Sequence, residues 1–155
     1  MPTKPIPDGY HSVTPYLMIK DAAAAIEFYK KALDATVLFQ SPGPDGQIMH
    51  AEIKIGDSIL MLSDEWPDMN ALGPTTRGGT TVGFCIYVED CDARFEQAVA
   101  AGGTVERPVE NQFYGDRSGT IVDPFGHKWT ISTHVEDVTP EEMQKRMDAW
   151  MAQQA

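Results

Sequence analysis

The chain has 155 residues and a formal net charge of −11, with 12 Lys and Arg set against 23 Asp and Glu. Phosphate backbones are bound by neutralising them with cations, so nucleic acid is not an expected partner, and no apolar run reaches the roughly 20 residues that a membrane span needs. Apolar content of 42% and charged content of 23% are those of a globular protein with one core or two small fused halves.

In chain order, "VTPYLMIK" (13–20) alternates as a strand, and Asp21 then caps a helix whose stripe is Ala22, Ala25, Ile26, Tyr29 and Leu33. "TVLFQ" is a second strand, "SPGPDG" a turn cluster and "QIMHAEIKI" a third strand. "GD" at 56–57 marks a hairpin, after which "SILMLSD" returns as a fourth strand. Residues 64–79, "DEWPDMNALGPTTRGG", have no periodicity and read as a linker long enough to fold over a site. From Thr80 the order repeats: the strand "TTVGFCIYVED", the helix "CDARFEQAVAAGG", then strands in "TVERPV", "DRSGTIVD" and "HKWTIST". Thr139-Pro140-Glu141-Glu142 is a capping box with Pro at the first helical position, which predicts a terminal helix over about 140–153.

Both halves read strand, helix, strand, strand, strand. "IKDAAAAIEFY" and "VEDCDARFEQA" align from Asp21 and Asp90, with Ile26 against Phe95 and Glu27 against Glu96. Such a repeat implies two βαβββ modules, about 12–63 and 80–134, in one α+β domain with a C-terminal helix. Cys85 and Cys91 are too few for a disulfide framework, and no cysteine pair has zinc-ligand spacing. "MPTKPIPDGYH" lacks the layout of a signal peptide, so the expected compartment is the cytoplasm.

The layout, with "TPYLMIKDAAAAIEFYKKAL" opening one half and "GTIVDPFGHKW" closing the other, resembles the vicinal oxygen chelate superfamily of glyoxalase I, extradiol dioxygenases and bleomycin-resistance proteins. "MHAEIKIGDSILMLSDE", "YGDRSGTIVDPFGHKWTISTH" and "VEDVTPEEMQKR" resemble its PhnB-like branch. The resemblance implies a curved mixed sheet around a cup-shaped cavity. It also implies four metal-ligand positions carrying His or Glu in metal-dependent members. On this chain those positions fall on Thr14, Met61, Gly83 and Thr130, none a usual ligand for a divalent metal, so no cofactor is expected at that place.

Strand parity sorts the remaining residues. If Met49, Ala51, Ile53 and Ile55 face helices, then His50, Glu52 and Lys54 face the cavity. If Trp129 and Ile131 face helices, then Lys128, Thr130, Ser132 and His134 face the cavity, joined by Tyr16, Met18, Met61 and Tyr87. His50 and Glu52 share one strand face, where a base and its orienter belong, so they are the candidate catalytic pair. Asp116 and Arg117 form a candidate clamp for an anion, and Trp66 of the linker a candidate apolar wall.

The expected function is therefore binding of a small apolar-aromatic or anionic molecule by a homodimer, without the usual metal. The alternative is an enzyme. It would use either metal-free acid–base chemistry of the lyase or isomerase kind, or a relocated metal on His50, Glu52 and His134 for glyoxalase- or dioxygenase-like chemistry.

Overall fold

The computed structural model describes residues 3–155. Two four-stranded sheets share one strand plan. In the first, β1 (Tyr16–Ile19) lies parallel to β4 (Ser58–Asp64), followed by antiparallel β3 (Ile48–Ile55) and β2 (Thr36–Pro42). In the second, β5 (Gly83–Tyr87) lies parallel to β8 (Lys128–His134), followed by β7 (Asp116–Val122) and β6 (Thr104–Asn111). Helix α1 (Ala22–Leu33) packs on the first sheet, α3 (Cys91–Ala100) on the second, and α4 (Pro140–Gln154) closes the order. This is the α+β pair of βαβββ units that the repeat implies.

The capping residues act as the sequence predicts. The carboxylates of Asp21 and Asp90 accept from the backbone N–H groups of Ala24 and Ala93, and Thr139 Oγ1 accepts from Glu142. Each satisfies a donor that the first helical turn would otherwise leave orphaned. The β3–β4 hairpin turns at Gly56, whose φ of +57° is a conformation glycine adopts without a Cβ clash.

The two helices lie side by side and share one core with the inner faces of both sheets. Gln97 Nε2 donates to Lys31 O and Asp34 Oδ1, both at 2.8 Å, and Arg94 Nη1 sits 2.5 Å from Asp34 Oδ2. Phe28 of α1 meets Phe125 of the β7–β8 turn edge-on, with ring centroids 6.3 Å apart.

That turn, Asp123 to Trp129, is built around one carboxylate. Asp123 is 4% exposed and accepts four hydrogen bonds: Tyr29 Oη at 2.7 Å, Trp129 Nε1 at 2.9 Å, and the N–H groups of Phe125 and His127 at 2.9 and 3.0 Å. The buried negative charge is thus fully solvated by protein donors, and it ties α1 to the mouth of β8. Trp129 is a core anchor, stacked on Phe84 at 4.6 Å and tilted against Tyr29 at 5.3 Å. His127 is buried behind it, and burial holds its imidazole below the ordinary histidine value.

One expected core residue lies elsewhere. Met49 is 50% exposed, and Ile48 takes the buried place instead. The cause is a register break in the β2–β3 ladder, where Ser41 pairs with His50 but Pro42 pairs with Ile48. Two residues of β3 there oppose one step of β2, and the extra residue is pushed out of the alternation.

The 64–79 linker is ordered. Trp66 bridges to Ala71 around a 3-10 turn (Pro67–Met69), and a single helical turn, α2 (Pro74–Arg77), follows. Gly73 lies so close to β1 that a Cβ would stand 2.7 Å from Met18 O, so the linker backbone packs directly against the first strand.

Candidate functional site

The outer face of each sheet, turned away from the helices, is open in the single chain. On the first sheet it carries Tyr16 and Met18 of β1, Met61 of β4, His50, Glu52 and Lys54 of β3, and Phe39 of β2. The alternation that buries Leu17, Ile19, Leu60, Leu62, Ala51 and Ile53 against α1 sends these the other way. Tyr16 remains 43% exposed and Phe39 52% exposed.

His50 and Glu52 are brought together here, and Tyr16, which parity also places on this face, joins them. His50 Nε2 lies 3.3 Å from Glu52 Oε1, and His50 Nδ1 lies 2.8 Å from Tyr16 Oη. Tyr10 of the N-terminal arm comes close to Glu52. That contact, with help from His50, holds the Glu52 carboxyl below its usual range against the opposing effect of burial. The neighbouring Glu52 carboxylate, followed by burial, pushes the Tyr10 phenol up to about 12. With Glu52 ionised, the His50 proton belongs on Nε2, and the Nδ1 lone pair accepts from the Tyr16 hydroxyl. Both imidazole nitrogens are therefore occupied. The atom presented to the cup is the Tyr16 oxygen, and His50 stands behind it.

The second open face has a different chemistry. Tyr87, 64% exposed, donates to Asp116 Oδ2 at 2.8 Å, which pushes its phenol up to about 12. Asp116 Oδ1 meets His134 Nδ1 at 2.8 Å, and His134 Nε2 meets Asp137 Oδ1 at 3.0 Å. These two carboxylates raise His134 above its ordinary value, Asp116 contributing most. Beside this group lies a floor of hydroxyls. Thr120 Oγ1 and Thr130 Oγ1 are 2.9 Å apart, Ser118 and Ser132 are buried, and Cys85 Sγ lies 3.5 Å from Ser132 Oγ. Arg107 of β6 reaches across this floor, a residue that sequence reasoning passes over.

Several expected placements change. Asp116 and Arg117 do not form a clamp: as neighbours on a strand they point to opposite faces. Arg117 turns toward α3, where Nε and Nη2 each meet a carboxylate oxygen of Asp92 at 2.7 Å. Lys128 is on the cup side but is engaged by Glu106 Oε1 at 2.5 Å. The hollow beside Tyr16 and Met18 is walled by Leu72, Gly73, Pro74 and Arg77, not by Trp66. A larger cavity of about 840 Å³ follows the seam between the modules, with Val13, Ile59, Phe84, Cys85, Tyr87 and Arg94 in its walls.

Comparison with known proteins places this architecture. Residues 9–131 match the model of the Glyoxalase/Bleomycin resistance protein/Dioxygenase superfamily. The chain belongs to that superfamily. It is 43% identical over 141 residues to an uncharacterized protein of Mycobacterium tuberculosis, covering 89% of this chain and 83% of that one. The fold is similar to that of TioX from Micromonospora sp. ML1, with a TM-score of 0.63, 22% identity, and coverage of 83% of this chain and 100% of that one. It is similar in the same degree to a PhnB protein from Bacillus cereus described as a putative 3-demethylubiquinone-9 3-methyltransferase. There the TM-score is 0.63 at 19% identity, over 79% of this chain and 99% of that one.

Metal-dependent members of the superfamily hold a divalent ion on the cup faces, and the residues here do not fit one. Thr14, Met61, Gly83 and Thr130 supply two hydroxyls, a thioether and a hydrogen, and the Thr130 hydroxyl is already paired with Thr120. Nor do His50, Glu52 and His134 form a replacement. His134 is held at the end of β8 in the other module, and among the described residues no three His, Cys, Asp or Glu side chains converge as metal ligands would.

Proposed function

We propose that this protein binds a small molecule of flat, apolar body on its open sheet faces, as a homodimer in the cytoplasm and without a metal at the superfamily's usual position. The observation that carries this reading is the character of those faces. Tyr16, Phe39, Met61 and Tyr87 lie on them, where metal-dependent members would concentrate His and Glu. A single chain leaves much apolar surface on and beside them: Val13, Leu38, Phe39, Val82 and Tyr87 are all exposed. Patches of that kind mark a binding surface, and twofold pairing is the commonest way to cover them. Nothing on the open faces resembles the basic stripe that nucleic acid needs, and among the described residues no helix is long and apolar enough to cross a membrane.

The test is a thermal-shift screen of purified protein against aromatic antibiotics, dicarbonyl adducts and divalent metals. A ligand raises apparent stability by RT ln(1 + [L]/Kd), about 2.7 kcal/mol at a hundredfold excess over Kd. Stabilisation by aromatic compounds and not by metals supports the reading, and stabilisation by metals alone overturns it.

A second reading is favoured by the chain Glu52–His50–Tyr16, in which a carboxylate orients an imidazole that in turn accepts from a phenol. That is the order of groups a proton relay uses, with Tyr16 as the member facing a substrate. Once a ligand is in hand, His50→Gln separates the two readings. A lost acid–base group costs about 10²–10⁴ in turnover with binding retained, whereas a binding pocket changes in affinity only.

A further inference from the structure

Among the described residues Arg107 is the one guanidinium on an open sheet face whose partners are all uncharged. It sits opposite Thr120 in the β6–β7 ladder and so shares the cup face with Thr120 and, one strand on, Thr130. Nη1 donates to Ser118 O at 3.2 Å, and Nη2 donates to Ser118 Oγ at 3.1 Å and Thr120 Oγ1 at 3.5 Å. Among the described residues it has no carboxylate within ion-pair distance, and Nε–H has no acceptor. Of the other arginines, Arg77 lies on the linker, off the sheet faces, and among the described residues donates only to Asn70, whereas the three on or beside the sheets are paired with acids. Arg94 pairs with Asp34, Arg117 with Asp92 and Arg146 with Glu136.

In a chain with 23 acids, a cation laid over buried hydroxyls without a counter-charge is conspicuous. Its neutral contacts fix the guanidinium plane on the sheet, and its charge is left for a partner from outside. We propose that Arg107, on the Ser118–Thr120–Thr130 floor, is the recognition point for an oxyanion, a carboxylate or phosphate monoester, at one end of the ligand. This rests on the small-molecule reading above and names the ligand's polar end. It also moves the expected anion site from Arg117, which faces α3, to an arginine ten positions earlier.

The net charge of −11 does not oppose this at close range. At physiological ionic strength the Debye length is about 8 Å, so carboxylates farther away than that are largely screened, whereas a contact at 2.7–2.9 Å is not. A charge-assisted bond in fixed geometry is the interaction that guanidinium makes best.

The test uses the full-length protein and three probes of one shape: 2-naphthoate, 2-naphthyl phosphate and uncharged 2-naphthol, titrated by calorimetry in 150 mM salt. The proposal expects at least one anionic probe to bind at least tenfold tighter than 2-naphthol. In Arg107→Gln that advantage should fall to twofold or less, with 2-naphthol affinity unchanged. Arg117→Gln, on the opposite face, should keep the full preference. Should Arg107→Gln fail to fold, the wild-type Arg107 side-chain Nε resonance, assigned with Arg107→Lys, should shift on adding the anionic probe. Equal affinity for all three probes, an advantage that survives Arg107→Gln, or an unmoved Nε resonance at saturation overturns the proposal while leaving the binding reading in place. No binding by any probe overturns both.

Discussion

Replacing Asp123 by alanine removes the acceptor of four hydrogen bonds at a site that is 4% exposed. Among the described residues the Phe125 and His127 N–H groups have no other acceptor, and Trp129 Nε1 and the Tyr29 hydroxyl lose the Oδ2 that both bind. A buried donor left unsatisfied costs about 1–3 kcal/mol, but the turn can open and admit water to its backbone groups. Two side-chain donors at full cost and two backbone donors at reduced cost give a loss of about 4 kcal/mol, a large part of the 5–15 kcal/mol typical of a domain. Asp123→Asn separates charge from geometry. Its carbonyl oxygen can still accept from Phe125 and His127, and Tyr29 can rotate to accept from the amide. Trp129 Nε1 cannot accept, so the expected cost is one buried bond, about 1–2 kcal/mol. Urea unfolding followed by tryptophan fluorescence reads both, with the slope checked for constancy. An Asp123→Ala cost below about 1 kcal/mol, or an asparagine variant as damaged as the alanine, would refute the role given to this carboxylate.

Gly119→Ala should cost about 1–3 kcal/mol, because a Cβ there would stand 2.6 Å from Phe95 Cε2 and 2.9 Å from Val109 Cγ2; thermal denaturation checks it. His134 is raised above its ordinary value by Asp116 and then Asp137, so its stabilisation is complete below about pH 6.5 and fades as pH climbs through the raised value. His134→Gln should therefore lower the melting temperature more at pH 5.5 than at pH 9, and an equal loss at both would contradict the linkage. EDTA should leave the melting temperature unchanged and elemental analysis should find less than one divalent metal per chain, given the donor set at Thr14, Met61, Gly83 and Thr130. Sedimentation at micromolar concentration should give a dimer, a monomer being the result that counts against covering of the exposed faces.

Sequence periodicity carried far where the strands are regular. In β8 the alternation put Trp129 and Ile131 on the helix side, and both are buried there. The Asp21 and Asp90 caps, the Gly56 hairpin and the Thr139 helix start follow from local chemistry and were legible for that reason. Parity failed where a ladder slips. Met49 sits beside a register break, and Arg107 lies between two of them, from Val105 to Arg107 and from Arg107 to Glu110, so counting by twos along "TVERPV" does not assign its face. Adjacency misled at Asp116 and Arg117, since consecutive strand residues cannot clamp one ligand from one face. Asp123 was read only as part of a turn, because one of its donors, Tyr29, is 94 positions away. Parity placed Tyr16 on the cup face, but its contact with His50 was not legible for a similar reason: it spans 34 positions and crosses β4.

The two sheets share one strand order but not one surface. A unit repeated without change would offer identical faces and would hold a molecule equally well in either direction. Here one copy carries a thioether and a Glu–His–Tyr chain, and the other sets Tyr87 and His134 on Asp116 beside a floor of hydroxyls and a lone guanidinium. Duplication followed by such drift gives a chain a left hand and a right hand. On the proposed reading, a ligand gripped between unlike hands would have a defined head and tail, and two isomers that differ only in which end bears the charge should bind differently.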